Sequence, residues 1–174
     1  MNNPVLEAIY ARRSVRKYLD TPVEKETLAL LADAAVHGPS ARNLQPWHLT
    51  VITDRGLIRE IEEGVRNAMN APKMGVLYDA PAIFMVSGDS TNRWNNIDCG
   101  LATENLLLAA QSLGLGTCVI GFVQRYLNTE AAAGTLAGLR LPEGYTPLYA
   151  VTVGYPAETP DARPRENDRV DWIE

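Results

Sequence analysis

What this chain lacks already bounds what it can be. No segment approaches the ~18 consecutive apolar residues of a membrane-spanning helix, so no membrane span is expected. The N-terminus, Met-Asn-Asn-Pro-Val-Leu-Glu, has neither the basic start nor the apolar core of an export signal. Cysteine is nearly absent, with Cys99 and Cys118 the only two. With no export signal, they read as reduced thiols of a cytoplasmic protein, each a small buried hydrophobe. They form no Cys-x-x-Cys pair, and no Cys/His spacing suits a metal. Basic charge is in deficit, 16 Lys and Arg against 21 Asp and Glu for a net −5, which argues against a nucleic-acid partner. The phosphate loops G-x-G-x-x-G and G-x-x-x-x-G-K-[ST] are missing, as is the G-x-S-x-G nucleophile elbow. His37 and His48 are the only histidines, and neither sits in a recognisable triad. A hydrolase needs such a nucleophile and base. A protein whose chemistry resides in a bound cofactor does not.

What is present describes one globular domain over residues 1–174, 46% apolar and 21% charged, with no repeat or low-complexity linker. Asn3 and Pro4 open a short helix with an apolar stripe of Val5, Leu6, Ile9 and Tyr10. A second helix is expected from about Glu24 to Val36, with Leu28, Leu31, Ala32 and Ala35 on one face, stopped by Gly38-Pro39. The stretch from Pro39 to Trp47 reads as an ordered loop and His48 to Thr53 as a strand. Asp54 caps a helix to about Met69, with Leu57, Ile58, Ile61, Val65 and Ala68 inside. Residues Asn70 to Asp79 read as irregular. Ala82 to Ser87 is a continuous apolar strand, as expected when both sheet faces are covered. The longest helical signal runs from near Asn96 to Gly114, apolar over much of its circumference, which predicts a central helix. Thr117 to Ile120 reads as another buried strand, Gln124 to Leu139 as helical, and Leu148 to Val153 as the last core strand. The tail from Ala157 to Glu174 is polar. Without strict βαβ alternation, this mixture predicts an α+β sandwich.

Three clusters could carry chemistry. Arg12, Arg13, Ser14 and Arg16 lie within five residues, and guanidinium forks match phosphate geometry. Such a run taken alone fits a solvated basic patch better than a site. In the tail, Arg163-Pro164-Arg165 fixes two guanidiniums on a stiffened backbone, or else is a soluble tail. The loop carrying Ser40, Asn43 and Gln45 before Pro46-Trp47 can hydrogen-bond the edge of a heteroaromatic ring, or else caps locally, with Trp47 as its core anchor.

Taken in order, four segments resemble the nitroreductase family of flavin mononucleotide-dependent proteins. They are Arg12 to Tyr18; Pro39 to Trp47; Asp98 to Ala102 continuing through Ser112 to Cys118 and on to Ile120-Gly121-Phe122; and Val153 to Pro156 with Arg163-Pro164-Arg165. The resemblance spans nearly the whole chain. It implies an α/β/α sandwich with a mostly antiparallel sheet and an intertwined homodimer on which residues 157–174 pack as a C-terminal extension. FMN sites would lie at the subunit interface. It implies that Arg12, Ser14, Arg163 and Arg165 hold the flavin phosphate with Arg13 beside it, and that Arg16 reaches the N1/O2 side of the ring. Ser40 and Asn43, with the backbone at Pro39 and Ala41, would come from the partner subunit. The backbone around Ile120 and Gly121 would face N5 and O4. Many relatives carry a second hydroxyl where this chain has Ala41. Asn67, Asn70 and Lys73 are the candidates for contacting the ring's pyrimidine edge. The activity implied is an NADH- or NADPH-dependent oxidoreductase in which a hydride reaches flavin N5. Two electrons then pass in ping-pong order to a nitroaromatic, quinone or activated enone. A non-catalytic flavin-binding or sensing protein, and a dimer holding no cofactor, are the alternatives.

Overall fold

Residues 82–86 alternate between two environments, and that alternation organises the molecule. The computed structural model describes residues 3–174, the side chain of Asn167 excepted. Strand β2 (Ala82–Asp89) sits inside a four-stranded antiparallel sheet of order β1-β2-β4-β3, with β1 Trp47–Ile52, β3 Gly116–Ile120 and β4 Tyr145–Gly154. Ala82, Phe84 and Val86 face one apolar cluster, and Ile83 and Met85 face the other. A strand buried on both faces must be apolar at every position, and Ala82 to Val86 are all fully buried.

The first cluster is roofed by α2 (Lys25–Val36) and α4 (Asn95–Ser112), through Leu28, Leu31, Ala35, Cys99, Ala102, Leu106 and Ala110. The second is roofed by α3 (Arg55–Ala68), α5 (Gln124–Leu127) and α6 (Ala133–Leu139), through Ile58, Ile61, Val65, Leu127 and Leu139. The result is the expected α/β/α sandwich. Helix α1 (Pro4–Ala11) starts as expected, with Asn3 Oδ1 accepting from the amides of Val5 (3.0 Å) and Leu6 (3.2 Å). Asp54 caps α3 likewise, through the Leu57 amide at 2.9 Å.

The structure corrects five expectations. Ala68 is exposed rather than inside α3, where the buried Glu62 takes a core position, accepting from Arg66 Nη2 (2.8 Å) and the Val76 amide (3.0 Å). The helical stretch from Gln124 to Leu139 is broken after Leu127, because Thr129 turns back on Tyr126 through both its amide and its hydroxyl. Helix α4 is central on one side only: Ile97, Leu101 and Leu113 are exposed. Val119 is exposed, because β3 is a sheet edge. Finally, β4 begins three residues earlier than its apolar run, and a register shift opposite Val86/Ser87 accommodates Pro147 within it.

Candidate flavin site

The chain leaves α1 at Arg12 and runs beside the free edge of β3. Ser14 pairs in parallel with Thr117, and the Val15 amide donates to the Thr117 carbonyl at 2.9 Å. Val15 is buried against Gly116, where a Cβ would fall 2.8 Å from the Val15 Cβ. Gly116 therefore sets how closely this segment approaches the sheet. Further along, the Leu19 amide donates to the Tyr155 carbonyl and the Ala157 amide to that of Lys17, each at 2.9 Å. The start of the tail thus doubles back along Lys17 to Leu19. Glu158 Oε1 accepts the Arg16 amide at 2.6 Å. Tyr18 locks this seam: its hydroxyl bonds the Val15 carbonyl and Thr152 Oγ1, each at 2.7 Å, and burial pushes its pKa well above the ordinary tyrosine range.

The segment bearing Arg12, Ser14 and Arg16 runs along β3 beside Thr117 and its neighbour Cys118. Burial pushes that thiol above its ordinary pKa, while the charge of Arg16, a hydrogen bond with Ser14 and the charge of Arg12 pull it back. The Arg16 pKa is raised, chiefly by its nearness to Cys118, with Tyr78 and Glu158 adding to the effect and burial opposing it, so its guanidinium stays cationic. Arg12 Nε lies 3.8 Å from Glu104 on α4, a half-exposed pair. Arg13 is turned elsewhere: its Nη1 donates to the carbonyls of Tyr10 (2.7 Å) and Arg12 (2.8 Å), closing the end of α1. At the far end of β3, Gly121 is exposed, and a Cβ there would meet nothing within 4 Å. Ile120 beside it is buried. The edge of β3 therefore presents a cationic end and an open backbone end, a few residues apart.

The Pro39–Trp47 loop is built tightly. Ser40 Oγ accepts the Gln45 amide and Asn43 Oδ1 accepts from Gln45 Nε2, both at 3.0 Å. Arg42, Asn43 and Gln45 take left-handed φ values of 55°, 56° and 48°. Asp98, buried near the start of α4, accepts the Ala41 amide with both oxygens at 3.2 Å. Trp47 is buried, as expected of the loop's anchor. Among the described residues no hydrogen bond or ion pair joins this loop to the arginine segment, nor joins Arg163 or Arg165 to it. Both tail arginines are exposed, as are Asn67, Asn70 and Lys73. Sequence reasoning missed Asp98, Tyr78 and Glu158 as supports. Asp98 lay inside a recognised segment, but nothing in its spacing announced a bond to residue 41.

A largely apolar groove of about 610 Å³, lined by Val23, Leu28, Val51 and Pro81 among others, contains none of these residues. No cluster of three or more metal-ligating side chains exists among the described residues, and none of its helices is long and apolar enough to cross a membrane.

The Nitroreductase family model matches residues 9–155, which contain the arginine segment, the loop and the β3 edge. The chain belongs to the nitroreductase family. It is 38% identical to a protein of Methanothermobacter thermautotrophicus that carries the provisional name NADH dehydrogenase/NAD(P)H nitroreductase, covering 91% of this chain and 81% of that one. It is 33% identical to an Archaeoglobus fulgidus protein with the same provisional name, covering 90% of this chain and 87% of the relative. Among solved structures it superposes on a nitroreductase with bound FMN from Bacteroides fragilis with a TM-score of 0.92. That match is 26% identical and covers 99% of this chain and all of the other. The nitroreductase fold is therefore shared over the whole length, tail included.

Proposed function

We propose that this nitroreductase-family chain is an FMN-dependent oxidoreductase that draws electrons from NADH or NADPH. The acceptor would be a nitroaromatic, quinone or activated enone, taken in ping-pong order on the same open face. The observation that carries the reading is that the segment bearing Arg12, Ser14 and Arg16 lies along the edge of β3, paired with Thr117, on the strand that ends at the open backbone of Gly121. That donor set fits FMN: guanidiniums and a hydroxyl suit a phosphate, and a side-chain-free glycine lets a flat ring approach the backbone. The Bacteroides fragilis neighbour, which binds FMN, supports the same reading.

In this reading Arg12 and Ser14 hold the phosphate, and Arg163 and Arg165 join them when the tail docks. Arg13 contributes by fixing the end of α1. Arg16 places a permanent positive charge at the N1/O2 edge, where it stabilises charge that develops on reduction. Ser40 and Asn43, with the backbone of Pro39 and Ala41, reach the site from the partner of a homodimer. The backbone around Ile120 and Gly121 orients the N5/O4 edge. Bound FMN supplies the two-electron chemistry, so the chain's own work is to bind, orient and exclude water, and no acid–base side chain is required. The dimer and its cytoplasmic placement belong to this proposal, the latter resting on two free thiols, both buried. Purified protein should be yellow, or should take up added FMN stoichiometrically. A colourless protein with no FMN uptake contradicts the reading.

A further inference from the structure

Beside the Ser40–Asn43 loop lies a second feature that flavin binding does not use. Arg42 and Leu44 on the loop, with Asp89, Thr91, Arg93 and Trp94 on the turn joining β2 to α4, line a pocket of about 540 Å³. The Arg93 guanidinium stacks 4.5 Å over the Trp94 ring, and Trp94 itself is exposed. Neither Arg42 nor Arg93 is ion-paired with any other described residue. Arg42 keeps its place despite a left-handed φ of 55°, a conformation that glycine or asparagine adopts more readily. The one carboxylate in the pocket, Asp89, is engaged by its own turn, with Oδ1 accepting from the Thr91 amide (2.9 Å) and hydroxyl (2.7 Å). The 18-residue helix α4 begins at the pocket wall, one residue past Trp94, and its N-terminal dipole adds positive potential. Two free guanidiniums, an exposed indole and a leucine side chain suit a flat ring bearing an anionic group.

We propose that this pocket selects the acceptor, binding the carboxylate of an aromatic acid through Arg42 and Arg93 while Leu44 and Trp94 cover its ring. The proposal rests on the reading above, in which the adjoining loop borders the flavin. Arg42 and Arg93 set specificity and leave the electron transfer itself unchanged.

The test compares 4-nitrobenzoate with 4-nitrobenzamide, which are matched in shape and differ in charge. Equilibrium affinity is read without donor, by quenching of tryptophan fluorescence, and kcat/KM is read with NADH. The acid should bind roughly tenfold tighter than the amide, the low end for a charge-assisted hydrogen bond, and the preference should shrink as salt is added. Arg42→Asn, which tolerates the left-handed backbone, and Arg93→Gln should each cut the preference several-fold, weakening the acid far more than the amide. Equal binding of the two probes, or a preference that survives both substitutions, overturns the proposal. Displacement of 4-nitrobenzoate by NADPH far more readily than by NADH would assign the guanidiniums to the donor's phosphate and overturn it too. The flavin spectrum of the same samples separates the two readings. Flavin retained without a preference sinks the pocket alone, whereas a preference without flavin sinks the oxidoreductase and leaves an aromatic-acid site.

Discussion

In the proposed phosphate anchor, Arg12 is the residue whose loss should be felt most. Its guanidinium is only loosely engaged by Glu104, at 3.8 Å, and so is available to a ligand. Arg12→Ala should weaken FMN binding by about 1.5–3 kcal/mol, the range for hydrogen bonds to a charged group, measured by fluorescence titration of the flavin-free protein. Unchanged affinity would remove Arg12 from the phosphate role. Arg13 makes the useful contrast, since its bonds to the Tyr10 and Arg12 carbonyls are structural. Gly116 acts one step removed. In Gly116→Ala the new methyl would meet the stiff, β-branched Val15 at 2.8 Å, and the amide of Val15 is tied to the same strand. We expect about 1–3 kcal/mol of lost stability from overpacking, together with weaker FMN binding, because Ser14 and Arg16 flank the displaced residue. Lost stability with full flavin affinity would show that the segment's seat on β3 does not govern the site.

At the scale of elements, β2 and α3 were legible because their patterns report burial directly: a strand covered twice is apolar throughout, and a helix covered once is apolar on a stripe. The caps at Asn3 and Asp54 were legible for the same local reason. Whatever depended on distant partners was not. The break after Leu127 comes from a turn at Thr129 that helical spacing does not register. The arginine run carried no mark of its orientation, so the division between Arg13, which closes a helix, and Arg12 with Arg16, whose charges act on Cys118, emerged only with β3 alongside. Asp98 was legible as part of a segment and not as the acceptor that holds residue 41. Packing of α4 against the sheet has a testable consequence at high pH. Burial, with Asp98 adding to it, pushes the Cys99 thiol from 9.0 to about 12. Burial likewise pushes the Tyr149 hydroxyl from 10.0 to about 12, partly opposed by its bond with Thr103. A raised folded-state pKa contributes stability that is intact below the unfolded value and is lost as pH rises through the folded one. Thermal unfolding should therefore be insensitive to these groups below about pH 9 and should fall steadily from there towards pH 12. A flat melting temperature across that window would contradict the burial of both groups.

The proposed homodimer would cover apolar surface that the single chain exposes. Val5, Leu6, Ile9 and Tyr10 on α1, with Ile97, Leu101 and Leu113 on α4, leave apolar side chains in water, and Trp172 and Ile173 end an exposed tail. Exposed apolar surface of that extent marks an interface. Among the described residues the loop bearing Ser40 and Asn43 makes no hydrogen bond or ion pair with the arginine segment of its own chain, which fits a site assembled from two. Sedimentation should give a particle of about twice the 19.1 kDa chain mass, and a persistent monomer that still binds FMN tightly would rule out a shared site. The central claim, that this nitroreductase-family chain moves electrons from a nicotinamide through FMN, is tested most directly by one anaerobic titration. Adding NADH or NADPH to the FMN-loaded protein should bleach the visible flavin band with one equivalent of donor per bound flavin, and an acceptor added afterwards should restore it. A flavin band that neither donor bleaches would contradict the account.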